Sequence, residues 1–166
     1  MASGDAMTAI VDRWKEIYPE IDASPLLVIG RLYRLMARVD AQLRPLFAEA
    51  GISDGDFDLL AALRRQQRRN ELSPGELADA MIVTTGATSK RIDRLEAQKL
   101  VTRRKASFDG RSRIVALTHR GRTTVDRLMP IHLDNQANIL SVLSVEDADK
   151  LAELLGRLLA SPEATS

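Results

Sequence analysis

The stretch that decides the fold is Leu72–Leu100, LSPGELADAMIVTTGATSKRIDRLEAQKL. Ser73 and Glu76 stand at capping-box spacing, and Pro74 occupies the first helical position, where its missing N–H would have had no partner anyway. Leu77, Ala78 and Met81 supply a short apolar face, and this helix ends near Met81 because the β-branched pair Ile82-Val83 is a poor continuation. Thr84 or Thr85 then caps a second helix running to about Gln98. Two short helices with a tight connection make a helix-turn-helix. On the second helix Thr85, Thr88, Ile92 and Leu95 share one face, which leaves Ala87, Lys90 and Arg94 opposite and Arg91 at the flank. An outer face that is cationic and otherwise small suits close entry into a DNA major groove, where Ser, Thr, Lys and Arg reach phosphates and base edges.

Outward on the C-terminal side, LVTRRK and SRIVALT are β-prone segments separated by ASFDGR, whose Asp109-Gly110 pair favours a tight turn. They predict a β-hairpin wing bearing Arg103, Arg104, Lys105, Arg111 and Arg113, and an arginine at such a tip can enter a minor groove. Thr118 caps a long helix to about Leu143, and an amphipathic helix from Glu146 carries Leu151, Leu154, Leu155, Leu158 and Leu159. On the N-terminal side, Ser53-Asp54-Gly55-Asp56 offers a cap and early carboxylates to the apolar helix FDLLAAL, which ends in the basic run Arg64 to Arg69. Before it, Leu27, Leu32, Leu35, Val39, Leu43 and Leu46 recur at helical intervals, with Ser24 as N-cap and Pro25 in the first turn. Pro45 is expected to kink that helix or split off its last turn. The ends, Met1 to Ala6 and Ser161 to Ser166, are expected to fray.

Composition agrees with this order. The chain has 166 residues, 45% of them hydrophobic and few aromatic, which bounds it to a single, mainly α domain. Between Arg64 and Arg122 there are 15 Lys/Arg against 6 Asp/Glu, while the remainder carries 9 against 17. A basic middle between acidic flanks suggests a polyanion-binding module. No cysteine is present, so disulfides and thiolate metal sites are excluded. The two histidines, His119 and His132, fall about 220° apart on one helix and cannot pair as metal ligands there. His119 reads as a surface residue and His132 as a packed or interface residue. No phosphate-binding glycine motif occurs, and neither an enzyme activity, a metal nor a cofactor is expected. No stretch is apolar enough to span a bilayer or resembles a signal peptide, so a cytoplasmic protein is expected.

With Asp109-Gly110-Arg111 followed by Leu117-Thr118-His119-Arg120-Gly121, the chain resembles the MarR family of bacterial regulators over roughly Ser24 to Ala160. The commoner family form has Arg at the place of Gly110, so one potential DNA-contacting charge is missing. The resemblance implies a winged helix-turn-helix whose terminal helices form an intertwined dimerisation region. About 1–50 and 119–166 would dimerise and about 53–118 would form the DNA-binding lobe. Two reading helices would then meet successive major grooves of a pseudo-palindromic operator, with Thr84, Thr85, Ser89, Lys90, Arg94, Arg111 and Arg113 as the DNA-binding set. Leu-rich terminal helices expose more apolar face than one small lobe can cover, which independently favours a homodimer.

The segment RWKEIYPEIDASPLLVIGRLYRL is similar to the PecS/TamR and urate-responsive branch of that family, which adds an N-terminal helix bearing a Trp. That resemblance implies an anionic effector, such as urate, a related purine or a polycarboxylate, held by Trp14, Asp58, Ser89, Arg91 and Arg103, with Arg104 in place of Arg103 if the strand register differs. It implies a repressor released by that effector. Asp58 would need a cationic partner if partly buried, and Arg91 and Arg103 are candidates. The alternative is a ligand-independent winged-helix module that binds DNA or protein, with a plain salt-bridge network at these positions and Trp14 as a packing residue.

Overall fold

The computed structural model describes residues 6–66, 70–81, 85–105 and 113–160, with only the backbone of Thr85. Seven helices and three strands follow one another among the described residues. They are α1 (Ala6–Ile17), α2 (Pro25–Glu49), α3 (Asp54–Arg64), β1 (Glu71–Leu72), α4 (Pro74–Met81), α5 (Thr85–Ala97), β2 (Val101–Lys105), β3 (Arg113–Leu117), α6 (His119–Leu140) and α7 (Val145–Leu159). The strands form an antiparallel sheet in the order β1-β3-β2, with Val101 opposite Leu117 and Leu72 opposite Val115. The fold is therefore mainly α, a winged helix-turn-helix with a β-hairpin wing.

Local chemistry starts these elements where the sequence places them. Ser53 and Asp56 form a reciprocal capping box on α3. The Ser73 N–H donates to Glu76 at 2.7 Å and the Glu76 N–H to the Ser73 hydroxyl at 3.2 Å, closing the second box at the start of α4. Thr118 accepts from Gly121 N–H, and Ser144 accepts from Asp147 N–H.

Four expectations differ. Ser24 has helical dihedrals and makes no capping bond; its N–H and hydroxyl both donate to Asp22, at 2.9 Å each. The helix α2 runs on through Pro45 to Glu49, so its last turn is not split off; Leu43 and Phe47 on either side are buried, and their packing outweighs the one bond that Pro45 cannot donate. The helix α6 stops at Leu140 rather than Leu143, and Ser141 to Ser144 turn the chain into α7. The strand β1 was not expected, since two residues carry no alternation pattern. It is recruited by β3, after Asn70 takes a left-handed φ of 50°.

The core is built around α3. Of its 11 residues, 7 are buried, including Phe57, Leu59, Leu60 and Leu63. Phe57 stacks on Phe47 of α2 with centroids 4.8 Å apart, and Leu77, Ile92, Leu95, Val115 and Leu128 close the other sides. The outer helices differ sharply. No residue of α7 is buried, and Trp14, Ile17 and Tyr33 on α1 and α2 are also exposed.

The start of α6 is pinned to the root of the wing. Thr118 N–H donates to the Leu100 carbonyl at 3.1 Å, and its hydroxyl donates to the Lys99 carbonyl at 2.8 Å. A Cβ at Gly121 would lie 2.0 Å from that Leu100 oxygen, so only glycine fits. Gly121→Ala is therefore expected to destabilise by roughly 1–3 kcal/mol through overpacking. Thr118→Ala is expected to cost about 1 kcal/mol as a lost cap. Urea midpoints measure both, and a Gly121→Ala protein as stable as wild type would contradict this contact.

Candidate nucleic-acid interface

The helix α5 lies on the body by its apolar side. Thr88, Ile92 and Leu95 are buried, as the helical spacing predicts, while Ser89 and Lys90 on other faces are exposed. Apart from its own helix and chain neighbours, no atom of the described residues stands within 4 Å of where a Cβ on Gly86 would be. Arg113 is exposed at the start of β3, opposite Lys105 in register. Thr84, Arg111 and the Asp109-Gly110 turn lie outside the described residues, as does the Thr85 side chain.

Arg94 is put to a different use from the outward one that the helical wheel suggests. Its Nε lies 2.9 Å from Asp56 Oδ2 and its Nη2 lies 2.5 Å from Asp56 Oδ1. The wheel locates the Cα of Arg94, but a long side chain can reach around the helix, and the first turn of α3 lies alongside. Asp56 is only 1% exposed. Its carboxylate also accepts from the Ser53 N–H at 2.9 Å and the Ser53 hydroxyl at 2.7 Å. Burial alone would push this carboxyl up, but the bonds from Arg94 and Ser53 outweigh it and hold the group below the ordinary Asp range.

Arg91 stands one turn before Arg94 on α5, and its charge is felt at Asp58. The Arg91 guanidinium lies over Gly55, where a Cβ would come within 2.4 Å of its Cζ. The Asp58 carboxyl is pushed up, first because neighbouring side chains strip water from it and then by repulsion from Asp54. Arg91, His132 and Arg65 pull the other way.

Arg103 does not join them: its guanidinium pairs with Asp93 and, at 3.3 Å, with Glu96, both on α5. Neighbouring Arg104, on the opposite face of the strand, pairs with Glu71 of β1 at 2.6 Å. Trp14 stacks on Tyr18 at 5.8 Å in a cleft at the junction of α1 and α2, together with Ile21, Pro25 and Leu26. Within one protomer, then, Arg91 acts on Asp58 through its charge, Arg103 is held from the other side of α5, and the described ring contact of Trp14 is with Tyr18. His132 packs its ring against Phe57 at 5.0 Å and Phe47 at 6.1 Å, and His119 is exposed.

Sequence reasoning saw Ser53 and Asp56 as a cap and missed the Asp56–Arg94 pair. The available signal was a carboxylate next to the apolar run FDLLAAL, which needs a cation once that run is buried.

The depressed pKa of Asp56 fixes a sign. A carboxyl whose folded pKa lies below its unfolded value, about 3.9, contributes stability above that value and loses it as pH falls through the folded pKa. Asp56→Asn is expected to cost about 1–2 kcal/mol at pH 7, with the half-exposed Arg94 keeping the figure modest. The gap from wild type should narrow below about pH 4. Urea unfolding at pH 7 and pH 3 measures it, and a gap independent of pH would contradict the pairing.

Known proteins share this arrangement. Residues 50–112 match the family model described as "MarR family". The HTH-type transcriptional regulator PecS of Dickeya dadantii (strain 3937) is 34% identical over 149 residues, covering 90% of each chain. The HTH-type transcriptional repressor YetL of Bacillus subtilis (strain 168) is 29% identical over 143 residues, covering 86% of this chain and 85% of that one. Among solved structures, Sco3205 from Streptomyces coelicolor, a MarR family transcriptional regulator in complex with DNA, superposes with a TM-score of 0.76 at 26% identity, covering 88% of this chain and 94% of that chain. A capped helix-turn-helix, a wing rooted on Thr118 and Gly121, and likeness to PecS along nine-tenths of its length place this chain in the MarR family of transcriptional regulators.

Proposed function

We propose that this protein is a homodimeric repressor that binds a pseudo-palindromic operator through α5 and the wing and releases it when a small anionic metabolite binds. The observation that carries the DNA reading is the division of α5: Thr88, Ile92 and Leu95 are buried while Ser89 and Lys90 face outward beside the basic wing. In this reading Ser89, Lys90 and Arg113 contact DNA, together with Thr84, Thr85 and Arg111. Lys90→Ala should weaken binding to an operator duplex by roughly 1–3 kcal/mol if Lys90 reads a base. If it contacts a phosphate instead, the salt slope should fall by about 0.9. Unchanged affinity and slope in fluorescence anisotropy would count against α5 as the reading helix.

Residues of about 1–50 and 119–166 form the dimerisation region in this reading. The argument is α7, a 15-residue amphipathic helix in which no residue is buried and whose Leu154 and Leu158 remain 43% and 56% exposed. Apolar surface of that kind calls for a covering partner, and a second copy offers the same uncovered helices. Removing the chain after Val145 should yield monomer or aggregate by light scattering; a stable, soluble dimer would contradict the assignment.

The anion site is assigned to Asp58, Arg91, Ser89, Arg103 and Trp14. Arg91 belongs to the reading helix and its charge acts on Asp58, so an anionic ligand would compete with that carboxylate for it. A ligand shifts an equilibrium only by its differential affinity for two states, and coupling of about 1–3 kcal/mol would weaken DNA binding some 5- to 150-fold. The ligand-independent alternative draws on the pairing of Arg103 with Asp93 and Glu96 and on Trp14 stacking with Tyr18. Gel-shift titration with urate, xanthine, citrate and trans-aconitate separates the two readings. Release by one of these, lost in Trp14→Ala and Arg103→Ala, is the expected result. No release by any, or variants that respond like wild type, would overturn the site.

A further inference from the structure

Two side chains of α5 and that of Gln98, the residue just past its end, at positions i, i+3 and i+7, dock in a row on one segment of the body. Arg91 lies over Gly55, Arg94 grips Asp56, and Gln98 Nε2 donates to the Gly51 carbonyl at 3.0 Å. Residues at this spacing line one flank of a helix, so the row forms a seam from Gly51 to Asp56 along α5. The middle contact is the demanding one. Asp56 is the group in this seam that is fully withdrawn from solvent, and both of its oxygens are engaged.

We infer that Asp56 is a positioning residue for DNA recognition: its buried carboxylate clamps Arg94 and sets the angle at which α5 is presented, and Arg94 itself reads no DNA. This rests on α5 being the reading helix. A two-pronged arginine–carboxylate pair fixes orientation as well as distance, which a lysine could not do. The carboxylate is tied in turn to the Ser53 backbone and hydroxyl, so the cap that starts α3 is also the anchor of α5. Such an anchor acts on specificity, because base contacts demand an exact helix pose while attraction to phosphate charge tolerates a loose one.

Charge alone predicts the opposite sign, which makes the inference sharp. Asp56→Asn removes a negative charge near DNA and would tighten binding if orientation were irrelevant. The experiment uses the full-length chain, an operator duplex selected from a random pool, and a scrambled duplex, with anisotropy titrations at several salt concentrations. Circular dichroism first confirms native helix content at the working temperature. Asp56→Asn and Arg94→Met should each weaken operator binding about tenfold, leave scrambled-duplex affinity and the salt slope unchanged, and add nothing to one another when combined. Arg94→Lys, which keeps the charge but not the fork, should fall between wild type and Arg94→Met, and as the mildest change it serves if Asp56→Asn does not fold.

Three outcomes would overturn the clamp. Operator affinity in Asp56→Asn could equal or exceed that of wild type. Arg94→Met could lower the salt slope and weaken binding further in the Asp56→Asn background, which would make Arg94 a DNA contact. Arg94→Lys could bind as wild type does, which would remove the role of the fork. Lys90→Ala in the same assay separates the layers. If it weakens operator binding and Asp56→Asn does not, the clamp alone fails; if neither does, the reading of α5 fails and the clamp with it.

Discussion

Everything in this molecule is arranged around the burial of α3. A helix ordinarily buries one stripe, but the run Phe57 to Leu63 is buried on nearly every side, and only Asp58 in it keeps an exposed surface. Such a segment has to be covered by separate elements: α2 through Phe47, α4 through Leu77, α5 through Ile92 and Leu95, the sheet through Val115, and α6 through Val125 and Leu128. Burying each large side chain is worth about 1.5–3 kcal/mol relative to exposing it, so these contacts together fix where α5 can lie. The position of α5, the helix proposed to face DNA, is thus a consequence of core packing, and the polar seam from Gly51 to Asp56 adds contacts along its flank.

Legibility followed the range of the forces involved. Elements governed by local chemistry were readable: the Ser73–Glu76 box, the Thr118 cap, and the buried face at Thr88, Ile92 and Leu95 all depend on residues a few positions apart. What depended on tertiary neighbours was not. Pro45 sits inside a continuous helix because buried neighbours hold it there, and β1 exists only by pairing with β3. Asp22 replaces Ser24 as the acceptor at the start of α2 because its carboxylate can take both of the serine's protons. Arg94 shows the limit of a helical wheel most clearly, since its partner is 38 residues away in the chain.

The proposed anion residues follow from the resemblance to the urate-responsive branch, and the structure holds them in different contacts. Arg91 acts on Asp58 through its charge, Arg103 is held by Asp93 and Glu96 on α5, and Trp14 belongs to the cleft between α1 and α2. The two carboxylates at the start of α3 also behave in opposite ways. Asp56 is held low by its hydrogen bonds, and Asp58 is raised by lost hydration and by Asp54. One is a satisfied anchor, and the other feels the charge of Arg91 on the proposed reading helix. On this account a ligand anion that draws Arg91 away from Asp58 acts beside the contact that orients α5, so regulation and recognition meet in one turn of helix.

The most direct test of the central claim, that two copies of this chain present paired α5 helices to DNA, is selection of binding sites from a random duplex pool followed by footprinting of the winner. The expected product is a pseudo-palindrome with half-sites about one helical turn apart, protected in the major groove of both halves and bound by two chains per duplex. Enrichment of a single unrepeated site bound by one chain, or no enrichment at all, would contradict it.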